Sequence, residues 1–241
     1  PAGQLLVWSA TRWQDGLDAA FFTLAGNSFM LAAIAALSCL FIALVLGYGK
    51  RLHPGKIEVG AVRIAGMGYA IPGTVIAVGV LLPFAWLDNQ VDTFMRARFD
   101  ISTGLLLSGT LVALVFAYVV RFLSVSLQAV EAGLTRIKPS IDESARSLGS
   151  SPLQLMRRIH LPMLRGTLFT ALLLVFVDVL KELPTTLILR PFNFNTLAVR
   201  TYELASDERL ADAATPALAI VLIGLLPVIL LTRSATREPL P

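Results

Sequence analysis

The stretch KPSIDESARSLGSSPLQLMRRIHLP, residues 138–162, lies between two strongly apolar runs and carries its own ordering signals. Ser140 and Glu143 have the spacing of a capping box, in which hydroxyl and carboxylate each accept from a free backbone N–H. Ile141, Ala145 and Leu148 form an apolar stripe at helical spacing. Gly149 stands where a left-handed C-terminal cap is needed. A second helix is predicted to follow at once, with Ser151 as N-cap, Pro152 as first residue and Gln154 as the reciprocal capping partner. Pro162 is predicted to end it, because its ring removes a backbone donor and pushes Leu161 towards extended geometry. The segment therefore reads as helix, Gly-Ser-Ser turn and helix. A loop capped this fully holds a shape, which a plain connection between two apolar runs does not need.

On either side of it the chain is apolar. Of its 241 residues 56% are hydrophobic and 15% charged, and the mean hydropathy is +0.74. A soluble domain carries about 25% charged residues. A membrane helix needs about 20 mostly apolar residues, and five stretches qualify: about 28–48, 66–87, 103–125, 163–180 and 213–231. The fold expected is all-α, a polytopic membrane bundle forming one domain over 1–241. Pro72-Gly73, Pro83, Pro216 and Pro227 are possible kink positions, which membrane helices tolerate when neighbours satisfy the freed carbonyls. Trp8 and Trp13 suit a membrane interface, and Ser9–Asp18 reads as a surface helix or the tail of an earlier element. The lone Cys39 sits in an apolar run, so a disulfide framework is excluded.

Charge orients the bundle. The connection after the first run, the one holding residues 138–162, and the C-terminal tail with Arg233, Arg237 and Glu238 together hold 13 of the 20 Lys and Arg but 5 of the 16 Asp and Glu. The positive-inside rule puts these in the cytoplasm, with the N-terminus outside and the C-terminus inside. The net charge of +4 is thus a topology signal and implies no nucleic-acid partner. The 138–162 loop is then cytoplasmic and the 181–212 loop periplasmic.

Nothing points to chemistry performed by the chain itself. No Gly-x-x-x-x-Gly-Lys-Ser/Thr phosphate loop occurs, so ATP would have to be split elsewhere. No His/Cys cluster has metal-ligand spacing, and His53 and His160 read as surface residues in cytoplasmic loops. No directly bound cofactor is expected.

On the opposite side, Asp178, Lys181 and Glu182 are three and four apart and share a helix face. With Arg190 they read either as a solvated helix end or as the outer mouth of a pathway that meets a delivering protein. Pro184 and Arg190-Pro191 break the helix, Asn195 or Thr196 caps a short one, and Ser206 or Asp207 caps the next. Arg121, towards the cytoplasmic end of the third run, either snorkels to lipid headgroups or faces the bundle.

Glu143-Ser144-Ala145, Gly149, and Ile159, Leu161 and Pro162 resemble the EAA loop of inner-membrane permease subunits of binding-protein-dependent ABC importers, with Ser144 where Ala is usual. The resemblance implies that Asp142, Glu143, Ser144, Ala145, Leu148 and Gly149 contact an ATP-hydrolysing subunit through a coupling helix. Residues 181–204, KELPTTLILRPFNFNTLAVRTYEL, with Ile101–Gly104 and Tyr118–Phe122, are similar to ferric-iron importer permeases. That likeness implies a MetI-like bundle in a bacterial inner membrane, Fe(III) handed over by a periplasmic binding protein, two ATPase subunits, a second permease half and alternating access. The start at Pro1 fits the second half of a fused permease. Tyr48, Tyr69, Tyr118 and Tyr202 are scattered and form no ferric cluster in the sequence. A related permease for thiamine, sulfate, a polyamine or phosphonate, and a stand-alone secondary transporter, are the other readings. The last leaves the 138–162 segment without a purpose.

Overall fold

A computed structural model describes residues 2–11, 17–53 and 55–235. Among them the regular structure is helical throughout. The order is α1 (Ala2–Thr11), α2 (Ala19–Leu52), α3 (Lys56–Ala65), a 3-10 turn (Gly68–Ala70), α4 (Gly73–Phe99), α5 (Leu111–Arg136), α6 (Pro139–Ser147), α7 (Pro152–Leu155), a π turn (Met156–His160), α8 (Leu161–Leu180), α9 (Pro184–Leu189), α10 (Leu197–Ser206) and α11 (Leu210–Ala235). Four runs are long and apolar enough to cross a membrane, namely α2, α4, α5 and the continuous Pro152–Leu180, and α11 adds a shorter apolar stretch over Leu210–Leu225. The expected all-α bundle is found, with shifted boundaries. Trp13, Arg237 and Glu238, read above as an interface anchor and tail charges, lie outside the described residues.

The bundle centres on α2, α5 and α8, which pack on one another. Their contact is made by small residues: Ala32, Ala35, Ala36, Cys39 and Ala43 of α2 are fully buried, as are Ala113 and Ala117 of α5 and Ala171 of α8. In lipid there is no hydrophobic drive to bring helices together, so close approach and dispersion hold them, and small side chains allow it. At Gly133 a Cβ would press into the Leu164 and Thr167 side chains, so this glycine sets the α5–α8 spacing. Phe41 and Leu82 point outward, as lipid-facing side chains should.

The first helix is longer than its apolar run. Asp18 caps α2, its carboxylate accepting from the Phe21 N–H at 2.7 Å; of the segment Ser9–Asp18, Ser9–Thr11 close α1 and residues 12–16 lie outside the described residues. Its 34 residues span about 51 Å, well beyond the roughly 30 Å hydrocarbon layer, and its last turn delivers Lys50 and Arg51 to the basic end of the bundle.

The second and third runs are both displaced along the chain. Residues 66–72 form turns, with Pro72 as N-cap of α4 rather than a kink, and α4 then continues through Pro83 to Phe99. Residues 101–110 are a loop, not the start of a span, although Leu105, Leu106 and Leu107 made them look like one. Two α4 carboxylates hold that loop. Asp88, buried, accepts from the backbone N–H groups of Leu106, Leu107 and Ser108 at 3.1, 2.9 and 2.8 Å and from the Ser108 hydroxyl at 2.5 Å. Asp92 accepts from the N–H groups of Thr103 and Gly104. Gly104 and Gly109 supply the positive φ angles of 61° and 72° that the reversal needs.

With α5 running from Leu111 to Arg136, Arg121 is ten residues from the first and fifteen from the last, about 15 and about 22 Å. It lies mid-helix and not towards the cytoplasmic end.

Pro162 does not end the second helix of the 138–162 segment. The chain continues from Pro152 to Leu180 with a π turn at Met156–His160, where the Leu161 N–H bonds back to Met156. The wider turn makes room just where a proline ring would meet the preceding helical turn and its missing N–H would leave a carbonyl free.

Candidate functional site

The 138–162 hairpin is built as capped helices, though not with every predicted cap. α6 starts at Pro139, with Lys138 as N-cap and no side-chain cap bond, so Ser140 sits inside the first turn and the expected Ser140–Glu143 box does not form. The proline ring, pre-set for the first helical position, takes that role. The C-terminal end is as predicted. Gly149 has φ 82°, the Ser150 N–H bonds Ala145 at 3.0 Å, and the Gly149 N–H bonds Arg146 at 2.9 Å, which together make a Schellman cap. Ser151 and Gln154 form the reciprocal box.

The hairpin has two faces. Ile141 and Ala145 pack inward, and Glu143, Ser144, Leu148 and Gly149 face outward. Leu148 is 86% exposed, so it departs from the predicted stripe and presents apolar surface away from the bundle. Asp142 and Ala145, both predicted to contact a partner with Glu143, are 8% and 6% exposed and point the other way.

Asp142 is the centre of a joint. Its carboxylate pairs bidentately with Arg51 of α2, Oδ2 to Nε at 2.9 Å and Oδ1 to Nη2 at 3.1 Å. Oδ1 also lies 2.9 Å from His160 Nε2. The Arg51 guanidinium donates in addition to the carbonyls of Leu134 and Ile137, which end α5. Tyr48 donates to the Pro152 carbonyl at 2.7 Å and stacks edge-on against the His160 ring. His160 is 1% exposed, which corrects its reading as a surface residue: the π turn carries its ring inward onto Asp142.

Burial by itself raises the Asp142 pKa, but the hydrogen bonds from Arg51 and His160 outweigh it and hold the carboxyl below its ordinary value. A lowered folded value means stability that is present above the unfolded value of about 3.9 and lost as the pH falls through the folded one. The gap in thermal midpoint between wild type and Asp142→Asn is therefore expected to be open above about pH 4 and to close below it, as melting curves across pH would show.

Deeper in the bundle, two chain breaks meet. α8 ends at Leu180, α9 begins at Pro184, and the turn between them sends Glu182 inward, 3.3 Å from Arg121 Nη1. Glu182 thus leaves the helix face expected to join it to Asp178 and Lys181, because the helix stops two residues short. Its Oε1 accepts from the Thr185 N–H at 3.2 Å and from the Thr185 hydroxyl at 2.7 Å. Thr186 donates to the Glu182 carbonyl, and its oxygen lies 2.5 Å from the Tyr118 hydroxyl. The start of α4 abuts the pair: a Cβ on Gly73 would collide with Arg121, Thr185 and Glu182 side-chain atoms. Arg121 therefore faces the bundle. Its Nε and Nη1 have no hydrogen-bond partner among the described residues.

The remaining predicted mouth residues are paired at the surface and do not join this cluster. Lys181 bridges Asp178 at 2.9 Å, and Arg190 bridges Glu203 at 3.2 Å. Thr196 caps α10, accepting from the Val199 N–H. Ser206 and Asp207 instead end α10, where Glu208 takes the left-handed position at φ 61°. Of the tyrosines, Tyr48 lies in the joint, whereas Tyr69 and Tyr118 both pack against the Phe122 ring, with the Tyr118 hydroxyl on Thr186.

Sequence reasoning missed Arg51, Tyr48 and His160 as one unit. Their separations of up to 112 residues hid it; the one local trace is a basic pair closing a long apolar run.

Among curated proteins, an Fe(3+)-transport system permease protein, FbpB 2 of Haemophilus influenzae, is 27% identical over 218 residues, 90% of this chain, and the chain spans 40% of its length. A putative 2-aminoethylphosphonate transport system permease protein, PhnV of Salmonella typhimurium, is 26% identical over 253 aligned residues, covering 98% of this chain and 89% of that protein. Among solved structures, a chain of a bacterial alginate ABC transporter, crystallised with an alginate pentasaccharide-bound periplasmic protein, superposes with a TM-score of 0.71 at 15% identity over 98% of this chain and 88% of that one. A chain of the MetNI methionine ABC transporter in an inward-facing conformation gives 0.59 at 18% identity over 90% of this chain and 97% of that one. These two show the MetI-like fold. The sequence itself matches a family over residues 39–238, and the chain therefore belongs to the binding-protein-dependent transport system inner membrane components.

Proposed function

We propose that this permease passes Fe(III), received from a binding protein, across the inner membrane, driven by ATP hydrolysis on separate subunits that dock on the outward face of α6. The chain then binds no cofactor of its own and needs a second permease half. The observation that carries the docking reading is the hairpin: a doubly capped, clamped element that presents Glu143, Ser144, Leu148 and Gly149 away from the bundle. Positive-inside charge puts this end, and the C-terminus, in the cytoplasm. Glu143→Lys reverses an exposed charge without touching the joint. It is expected to cut copurification of the ATPase subunits, and uptake with it, by about tenfold, equivalent to about 1.4 kcal/mol. Unchanged copurification and uptake would overturn the docking assignment.

Iron as cargo is supported by the 181–204 stretch and by the Haemophilus relative. A second cargo, 2-aminoethylphosphonate, is favoured by the fuller length match of the Salmonella relative. Reconstituted complex offered Fe(III)-loaded or aminoethylphosphonate-loaded binding protein separates them. Stimulated ATP hydrolysis and uptake are expected with the ferric form, and stimulation by the phosphonate form alone would replace iron as the cargo.

A further inference from the structure

We propose that Arg51, Asp142 and His160 are positioning residues that carry movement of the hairpin into the spans, so that coupling of hydrolysis to transport depends on them separately from docking. The inference rests on the docking reading above and extends it inward.

The geometry is that of a joint and not of a contact surface. Four elements converge on one ion pair: α6 supplies Asp142, α2 supplies Arg51, the π turn supplies His160, which meets the carboxylate, and the end of α5 supplies the Leu134 and Ile137 carbonyls, which accept from the guanidinium. Each Arg51 nitrogen is engaged, Nε and Nη2 with Asp142, Nη2 also with Ile137, and Nη1 with Leu134. Both Asp142 oxygens are engaged too. The fork of a guanidinium fixes direction as well as distance, which a lysine ammonium does not. Asp142 and His160 are 8% and 1% exposed, so neither can reach a docked partner without dismantling the cluster.

The mechanical position fits. α6 is tied to the spans by the inward faces of Ile141 and Ala145, by the turn that joins it to α5 and by the Gly149–Ser151 turn into α7, besides Asp142. A push on Leu148 and Glu143 therefore leaves α6 along the chain as well as through Asp142. From there Arg51 leads into α2 and the end of α5, and His160 leads through the π turn into α8. A π turn carries one extra residue in its hydrogen-bonded ring, and so is a place where a helix can change register at low cost. Holding its last residue against Asp142 ties that register to the hairpin.

The test uses the assembled permease–ATPase complex with loaded binding protein, reconstituted in vesicles. Arg51→Lys keeps the charge but loses the fork. Asp142→Asn keeps the shape but loses the charge. Both are expected to retain ATPase copurification and a wild-type elution volume, while cargo moved per ATP split falls about tenfold, equivalent to about 1.4 kcal/mol. Unchanged cargo per ATP in Arg51→Lys and Asp142→Asn overturns this inference alone. A parallel loss of copurification and uptake, as expected for Glu143→Lys, also overturns it, since the residues would then be acting in docking. Retained copurification in Glu143→Lys strikes the docking reading itself, and so the two failures are distinct. A variant that misfolds is recognised by its elution volume, and the gentler Arg51→Lys then decides.

Discussion

Replacing Arg121 by leucine is expected to destabilise the bundle by about 3–5 kcal/mol, because it strands Glu182 as an unpaired charge in a low-dielectric interior. Glu182 is 7% exposed, and the groups left to it are the Thr185 N–H and hydroxyl. Those dipoles stabilise a carboxylate less than a guanidinium does. The reverse change, Glu182→Leu, strands Arg121 and is expected to cost a similar amount. Replacing both by leucine removes the desolvation of both charges together, and stability should return to near wild type or above it. Thermal unfolding in detergent of the two single variants and the double one gives the full cycle. Two small single effects would show that water reaches the pair. Uptake measured on the double variant then answers a separate question. If the pair fixes how the α8–α9 break meets the start of α4, transport should be lost although stability is regained.

Gly68→Ala is the second large effect, and its cause is steric. A Cβ there would fall on the carbonyl oxygen of Val120 and crowd that of Arg121, both main-chain atoms of α5. A side chain could rotate out of the way, but a helix backbone cannot. The 3-10 turn must therefore lift off α5, at a cost of about 3 kcal/mol, the upper end of ordinary overpacking. Lifting it also moves Pro72 and Gly73, so the α4 end of the Arg121 cluster should loosen with it. Faster limited proteolysis between residues 66 and 72 and a lowered unfolding midpoint would confirm this, and a wild-type melting curve would refute it. Gly149→Ala provides a contrast, since nothing lies within 4 Å of its Cβ position and only the positive φ is strained.

Much of this architecture was legible in the chain. The apolar runs announced the helices, and the Gly149, Ser151–Gln154 and Thr196 caps were local enough to read by spacing. The failures share one physical cause. Where a polar group is satisfied by a distant element, local spacing misleads. Leu105–Leu107 looked like membrane because the Asp88 carboxylate that holds the Leu106 and Leu107 backbone belongs to the preceding helix. Asp142 looked like a neighbour of Glu143 in function because its partner, Arg51, is 91 residues away. Pro162 looked like a stop because a π turn leaves no mark in single-residue propensity. Of the predicted coupling residues, Glu143, Ser144, Leu148 and Gly149 do face outward, whereas Asp142 and Ala145 turn inward, and the joint beneath them and the Arg121–Glu182 pair required tertiary structure.

The joint also has an order in time. Arg51 leaves the ribosome 83 residues before Leu134, 91 before Asp142 and 109 before His160. N-terminal segments are made and placed first, so the end of α2 must wait, its guanidinium held by lipid headgroups or water, while two more helices are inserted. Contacts of such long sequence separation form late. The basic end of the bundle thus acquires its fixed shape only when the π turn has been synthesised and folded back. A chain arrested before residue 160 would have the Arg51–Asp142 pair but not the His160 contact that ties it to α8.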